Sequence, residues 1–362
     1  RKHGIKLVLG YTVEGFKEKD DGVEVLLKDN PSLQADMVVL AIGVTPDTVL
    51  AKEAGLELGI KESIVVNDRM ETSVPDIYAA GDAVQVKHYV TGNDALISLA
   101  GPANKQGRII ADNICGGDSR YLGSQGSSVI KVFDMTAATT GINETNAKKS
   151  GLEVDTVILS PMSHAGYYPG GKVMTMKVVF EKETYRLLGA QIIGYEGVDK
   201  RIDVLATAIH AGLNATQLKD LDLAYAPPYS SAKDPVNMAG FMIDNIAKGT
   251  LKQWHLEDMD KISKDKDVVL LDVRTVGEFS RGHIDGFKNI PVDELRERIS
   301  EIEKGKPVYL ICQSGLRSYI ASRILEGNGY ETYNFSGGFR FYDAVVNDCA
   351  LIERAYACGM DY

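Results

Sequence analysis

Leu310-Ile-Cys-Gln-Ser-Gly-Leu-Arg-Ser318 decides the reading of the C-terminal third of this chain. An apolar strand ends on Cys312, a tight loop containing Gly315 follows, and helix-forming sequence begins at once. Backbone N–H groups of such a loop and of the helix start point toward one spot, where they stabilise a thiolate. Cys312 is therefore expected to be a nucleophile. The competing reading, a buried and inert core cysteine, rests on strand-end placement alone.

Outward from that loop, strands over 268–273 and 308–311 and a helix over 318–327 alternate across about ninety residues, the pattern of a small parallel-sheet domain. Four residues separate Cys312 from Arg317, one fewer than in phosphatases that use a similar cradle, and the shorter ring suits a sulfane sulfur rather than a phosphate. Upstream lies Leu271-Asp-Val-Arg-Thr-Val-Gly-Glu-Phe-Ser-Arg-Gly-His-Ile-Asp-Gly-Phe-Lys-Asn-Ile-Pro291, and downstream Phe335-Ser-Gly-Gly-Phe-Arg340. Together these resemble the rhodanese family over residues 254–346. The resemblance implies that Cys312 carries sulfane sulfur and that Arg317 is catalytic beside it. Asp272, Arg274, Glu278 and His283 are expected to hold loops through hydrogen bonds. Phe287 and Lys288 stand where the family carries a small residue, which bears on the substrate entrance.

Composition bounds the rest. The chain has 362 residues, 44% of them hydrophobic, which suits two or three domains each with a core. With 40 basic against 50 acidic residues its net charge is −10, so binding to a phosphate backbone is opposed and nucleic acid is not an expected partner. The longest apolar run, 37–44, is far short of the ~20 residues of a membrane helix. No leader peptide opens the chain, so neither membrane nor export is expected. Four scattered cysteines (Cys115, Cys312, Cys349, Cys358) give neither a disulfide framework nor a CxxC metal pair. A reducing cytoplasm and no metal follow as expectations.

The N-terminal region reads as the β-rich end of an α/β unit. Short strands are expected over 5–9 and 23–27, a buried-type strand over 37–42, another over 77–80, and a helix over 102–114. A glycine- and serine-rich boundary at 116–128 introduces strands over 129–133, 156–159, 173–180 and 187–193. A helix over 200–211 presents Ile202, Leu205, Ala206 and Ile209 on one face and stops at Gly212. This middle region is α+β.

Thr72-Ser-Val-Pro-Asp-Ile-Tyr-Ala-Ala-Gly-Asp82 resembles the second FAD motif of the pyridine-nucleotide disulfide oxidoreductases. Val38-Val-Leu-Ala-Ile-Gly-Val-Thr-Pro46 resembles their crossover between nucleotide and flavin domains, and Leu99-Ala-Gly-Pro-Ala-Asn-Lys-Gln-Gly107 their loop and helix at the flavin ring. By that resemblance Pro46, Gly81, Asp82, Ala83 and Pro102 contact FAD, and Asn104 contacts substrate. No GxGxxG follows a strand, so neither dinucleotide fingerprint is assigned. The chain is expected to be the C-terminal fragment of a longer flavoprotein that takes electrons from NAD(P)H.

His164-Ala-Gly-Tyr-Tyr-Pro-Gly170, Gly197-Val-Asp-Lys-Arg-Ile-Asp-Val-Leu205 and Leu223-Ala-Tyr-Ala-Pro-Pro-Tyr-Ser-Ser-Ala-Lys-Asp-Pro-Val-Asn-Met-Ala-Gly240 are similar to the dimerisation domain of coenzyme A-disulfide reductases. That resemblance implies a homodimer, catalytic roles for Tyr167 and Tyr225 at the CoA-thiol end of the partner's site, and a CoA-phosphate contact for Lys233. Tyr168 and Tyr229 are expected to be half-buried packing residues.

The expected fold is thus α/β and α+β, beginning with the end of a two-dinucleotide-binding-domain flavoprotein. Residues 1–45 are expected to close its NAD(P)H-binding domain and residues 46–123 its FAD-binding domain. A dimerisation domain (124–250), a rhodanese domain (254–348) and a tail (349–362) follow. The expected function is FAD-dependent NAD(P)H reduction of CoA disulfide, CoA persulfide or polysulfide, coupled to sulfur carriage on Cys312. Two alternatives stand beside it: a sulfurtransferase with a degenerate reductase region, and an NADH oxidase or peroxidase. The choices between NADH and NADPH, and among the sulfur substrates, stay open.

Overall fold

The computed structural model describes residues 3–346. Cys349, Cys358 and the expected tail lie outside the described residues.

Residues before Pro46 form one unit, built on an antiparallel three-stranded sheet of β1 (Val13–Lys19), β2 (Gly22–Leu27) and β3 (Asn30–Ala35). Two expected strands are corrected here. Residues 5–9 and 37–42 have no strand structure, and Met37, Val39, Leu40 and Ile42 are exposed, Ile42 at 90%. A strand exists only where another chain segment satisfies its N–H and C=O groups in a ladder, and neither run forms a ladder among the described residues.

From Pro46 onward come short α1 (Val49–Glu53), paired β4 (Val86–Lys87) and β5 (Asp94–Ala95), and α2 (Ala100–Ile114), whose Ile109 and Ile110 pack against a small cluster of Met70, Val84 and Val86. The expected strand over 77–80 is also absent: Tyr78 makes one isolated bridge with Glu71, and Gly81–Ala83 turns as a 3-10 helix. Tyr78 pairs at a single position, too little to hold an extended segment as a strand.

The next sheet is antiparallel in the order β6-β7-β10-β9-β8, with β6 (Ser128–Val132), β7 (Met135–Gly141), β8 (Val154–Leu159), β9 (Thr175–Glu181) and β10 (Leu187–Gly194). It is flanked by α3 (Glu144–Lys149), α4 (Val198–His210) and α5 (Pro235–Ala247). Ile202, Leu205 and Ile209 of α4 are buried with Val178, Phe180 and Ile192 of the sheet, and Gly212 (φ +69) follows the helix end. Asp234 caps α5 by accepting from the Val236 N–H at 3.0 Å, and Pro235 opens the helix where no donor is needed.

The last sheet is parallel throughout, in the order β11-β15-β14-β12-β13: β11 (Gln253–Trp254), β12 (Val269–Asp272), β13 (Lys288–Asn289), β14 (Val308–Ile311) and β15 (Thr332–Phe335). Helices α6 (Met259–Ile262), α7 (Val276–Ser280) and α8 (Leu316–Glu326) accompany it. Phe287 is buried and stacks on Trp254 at 6.4 Å, so it belongs to the core and not to an entrance.

The two sheets are fastened along β8, the outer strand of the antiparallel sheet. The Ile158 N–H donates to Ser336 Oγ at 3.1 Å, and Gln253 Nε2 donates to the Thr156 carbonyl at 2.8 Å. His255 Nε2 lies 3.0 Å from an Asp155 carboxylate oxygen. Burial would raise the Asp155 carboxyl, but the His255 hydrogen bond and charge, with the Thr156 and Gln253 donors, hold it below the ordinary value.

Candidate active site

Cys312 follows β14 directly and is 1% exposed. Gly315, at φ +102, turns the loop so that its own N–H donates to Cys312 Sγ at 3.1 Å. The Ser318 hydroxyl donates to the same sulfur at 3.2 Å from the first turn of α8. One backbone donor of the expected cradle is therefore in place, and a side-chain hydroxyl from the helix start supplies the second hydrogen bond.

A second segment closes over the loop. The Phe339 N–H donates to the Cys312 carbonyl at 2.8 Å and the Arg340 N–H to that of Gln313 at 3.2 Å. Gly338 makes this approach possible: at φ +68, a Cβ there would lie 2.6 Å from Ser314 N, 2.7 Å from Gln313 C and 2.8 Å from Cys312 O. These are backbone atoms and cannot swing aside. Gly338→Ala is expected to destabilise the parallel-sheet unit by about 2–4 kcal/mol from strain and overpacking combined. Thermal unfolding checks it, and an unchanged Tm would refute the close packing.

Arg317 forms a two-pronged pair with Glu278, Nη1 to Oε2 and Nη2 to Oε1, both at 2.7 Å. Glu278 also accepts from the Thr275 N–H at 3.0 Å, closing the N-terminus of α7. Chiefly through the Arg317 hydrogen bonds, its carboxyl is lowered from 4.5 to about 2. A depressed carboxylate contributes stability above its unfolded value and loses it as pH falls through the folded one. Acidification from about pH 4.5 to 2 should weaken the wild-type unit, and Glu278→Gln should flatten that slope in chemical-denaturation curves. Equal slopes would refute the pairing.

Arg274 is buried against Asp272, with Nη2 to Oδ2 at 2.7 Å, donates to the Gly282 carbonyl at 2.8 Å, and lies over the Phe339 ring at 3.8 Å. It thus connects the loop after β12 with the closing segment. His283 stacks on Phe279 at 4.0 Å.

The second constellation lies at the edge of the antiparallel sheet. The Tyr167 and Tyr225 hydroxyls are 2.8 Å apart although 58 residues separate them in sequence. Both rings are exposed, at 76% and 46%. Chiefly the hydrogen bond to Tyr167 raises the Tyr225 phenol above its ordinary value. Tyr168 meets His164 edge-on at 5.6 Å and is 43% exposed. Tyr229 is 72% exposed, so the expectation that it is half-buried is corrected: its carbonyl, not its ring, faces inward to Arg201. Lys233 is exposed in the same loop, where its carbonyl accepts from Ser231 Oγ at 2.6 Å.

Beneath the tyrosine loops lies a pair that the sequence reading left unassigned. Arg201, 1% exposed, donates from Nη2 to Asp234 Oδ2 at 3.0 Å, and Asp234 is 2% exposed. Burial would raise the Asp234 carboxyl, but the Val236 N–H, the Ser230 hydroxyl and the Arg201 guanidinium hold it below the ordinary range. Removing either partner alone would strand a buried charge, at a cost of about 3–5 kcal/mol. The signal was present: Arg201 occupies a core position of α4, four residues before Leu205 and eight before Ile209.

In the region of the expected FAD contacts, Gly81–Ala83 pack against α2, with Gly81 facing Ala103, the residue after Pro102. The Gly81 N–H donates to buried Gln106 Oε1 at 2.7 Å, and Gly81 has φ +82. Leu99, ahead of α2, offers no capping side chain, so the N–H groups of Ala100 and Gly101 can meet an outside acceptor, while Pro102 has none and that of Ala103 donates to the Leu99 carbonyl at 3.2 Å. Those two donors and the side-chain-free Gly81 are compatible with a nucleotide cofactor lying close to the backbone here. Asp82 and Asn104 are exposed, and Pro46 is half-buried ahead of α1. The hydrogen-bond partners of the Cys312 sulfur, Gly315 and Ser318, belong neither to this region nor to the tyrosine loops.

Comparison with known proteins gives this arrangement a family. Residues 1–107 match the pyridine nucleotide-disulphide oxidoreductase family, 127–235 its dimerisation domain, and 255–344 the rhodanese-like domain. The chain belongs to the pyridine nucleotide-disulphide oxidoreductases and carries a rhodanese-like domain. The antiparallel sheet is accordingly the dimerisation domain, and the parallel sheet around Cys312 the rhodanese-like domain. Among relatives, the CoA-dependent NAD(P)H sulfur oxidoreductase of Pyrococcus abyssi is 38% identical over 60% of this chain and 49% of its own length. A crystal structure of reduced Bacillus anthracis CoADR-RHD is 46% identical, with TM-score 0.90, over 93% of this chain and 60% of that one. An NAD-dependent persulfide reductase from A. fulgidus is 40% identical, with TM-score 0.86, over 94% of this chain and 62% of that one. The chain spans about half the length of the curated relatives it matches.

Proposed function

We propose that the protein containing this chain is an FAD-dependent NAD(P)H reductase of CoA disulfide, CoA persulfide or polysulfide, whose rhodanese domain carries sulfane sulfur on Cys312. The observation that carries this reading is the presence, in one chain, of a cradled thiol and a hydrogen-bonded tyrosine pair, each on its own domain. The relatives named as CoA-dependent sulfur and persulfide reductases support it.

In sulfur transfer, Cys312 Sγ attacks the outer sulfur of a persulfide, the donor's S–S bond breaks, and the donor leaves as a thiol. Cys312 then carries the persulfide with no net change of oxidation state. The Gly315 N–H and Ser318 hydroxyl stabilise negative charge on Sγ before and after attack. Bound FAD would supply two electrons, drawn from NAD(P)H, to cleave the S–S bond of the reductase substrate. Gly81, Asp82, Ala83 and Pro102 would hold it, and Asn104 and Lys233 would meet the CoA substrate. The tyrosine pair donates a proton to the departing thiolate, with Tyr167 and Tyr225 passing the hydrogen bond between them.

A homodimer is integral to this reading. Val129, Ile130 and Val132 on the outer strand β6 are each more than half exposed, as a strand awaiting a second copy would be. Among the described residues no helix is long and apolar enough to cross a membrane, and the cytoplasm is the proposed location.

The test is anaerobic turnover of the purified protein with NADH or NADPH and CoA persulfide. One sulfide released per reduced nucleotide consumed supports the proposal. Nucleotide oxidation that requires oxygen and releases no sulfide would assign the protein to the NADH oxidases instead.

A further inference from the structure

We infer that Arg201 is a positioning residue for the Tyr167–Tyr225 pair, a buried clasp that sets the phenol-to-phenol geometry without touching substrate. The inference rests on the proposal that this pair donates protons in the reductase reaction.

The Arg201 guanidinium lies within hydrogen-bond distance of five acceptors, four of them sharing the two Nη2 hydrogens: Gly197 O at 3.1 Å, Ser163 O at 2.9 Å, Tyr229 O at 3.3 Å, Ser230 Oγ at 3.2 Å and Asp234 Oδ2 at 3.0 Å. Ser163 belongs to the loop that carries Tyr167, and Tyr229, Ser230 and Asp234 to the loop that carries Tyr225. One planar, rigid cation therefore ties both loops to α4.

Three further contacts hold the loops, one within the Tyr225 loop, one between the loops and one to α4. The Ala165 N–H donates to the Ser230 carbonyl at 3.0 Å, and Ser230 Oγ donates to Asp234 Oδ2 at 2.7 Å. Lys200, next to Arg201, reaches the Ala224 carbonyl at 3.5 Å, one residue before Tyr225. Gly197 has φ +68, and a Cβ there would lie 2.0 Å from Arg201 Nη1, so the space under the guanidinium is shaped for it. The tyrosine rings themselves are exposed, so little packing holds them. Their 2.8 Å separation depends on loop backbones, and those depend on the clasp.

The test compares Arg201→Lys, which keeps the charge and loses the fork, with Ser230→Ala, which removes one acceptor and leaves the ion pair. The first readout is titration of tyrosinate absorbance, with Tyr225→Phe subtracted to isolate Tyr225. In folded Arg201→Lys protein the Tyr225 phenol should return toward its ordinary value, because its hydrogen bond to Tyr167 is lost. An unshifted Tyr225 curve overturns the inference; should Arg201→Lys not fold, Ser230→Ala is read the same way.

The second readout is reductase turnover in a double-mutant cycle. Arg201→Lys should lower kcat on the order of 10- to 100-fold with KM little changed, and should cost almost nothing further in a Tyr167→Phe, Tyr225→Phe background. Additive losses would make Arg201 an independent structural element and overturn the inference. If the titration shifts while turnover stays at the wild-type rate in every variant, the clasp stands as geometry and the proton-donor reading of the tyrosines fails.

Discussion

Replacing Cys312 with serine should abolish sulfur transfer from persulfide or thiosulfate, a loss on the order of 10³-fold or more, while NAD(P)H-dependent flavin reduction in the whole protein stays near the wild-type rate. The selectivity follows from geometry. The partners of Cys312 Sγ are Gly315 and Ser318, both on the loop and helix of the rhodanese domain. Serine preserves the volume and accepts the same hydrogen bonds, so the fold should hold and the loss should report chemistry. A hydroxyl is a far poorer attacking group on sulfane sulfur than a thiolate. Sulfur transfer that persists in this variant would remove Cys312 from the mechanism, and a flavin-reduction defect of equal size would show that the two sites work as one.

Replacing both Tyr167 and Tyr225 with phenylalanine should slow CoA-disulfide or CoA-persulfide reduction by ~10²-fold, the usual effect of losing a positioned proton donor. Sulfur transfer by Cys312 should be spared. The 2.8 Å hydroxyl contact makes the two single variants nearly equivalent, since either deletes the same hydrogen bond. Both rings are so exposed that truncating a hydroxyl should leave Tm almost unchanged. Wild-type turnover in the double variant would return both residues to surface roles and remove the main support for CoA as substrate.

Much of this was legible in the sequence because it depends on short-range order. The strand, loop and helix around Cys312 lie within nine consecutive residues, and the Gly315 turn that presents its N–H is local. The tyrosines could be found by their motifs, though not their mutual contact, which joins loops 58 residues apart. The Glu278–Arg317 fork was missed for the same reason: 39 residues separate the partners, and nothing near Glu278 announces the guanidinium that reaches it. The error at 37–42 is of another kind. Apolar content favours burial, but a strand forms only with neighbours to pair with, and composition carries no information about them. Arg201 was readable in retrospect, as a charge at a core position of an otherwise apolar helix face.

The seam along β8 has a meaning for solubility. β8 pairs with β9 on one side, and on the other its peptide groups meet Ser336 and Gln253. Without those two side chains, a row of free donors and acceptors would face outward, on a strand whose Val154, Val157, Ile158 and Leu159 are already apolar. Such a margin is a template on which any extended polypeptide can lie down and begin to stack. The rhodanese-like domain therefore also shields its neighbour from sticking to copies of itself, and a version trimmed ahead of Gln253 would lose that shield along with Cys312.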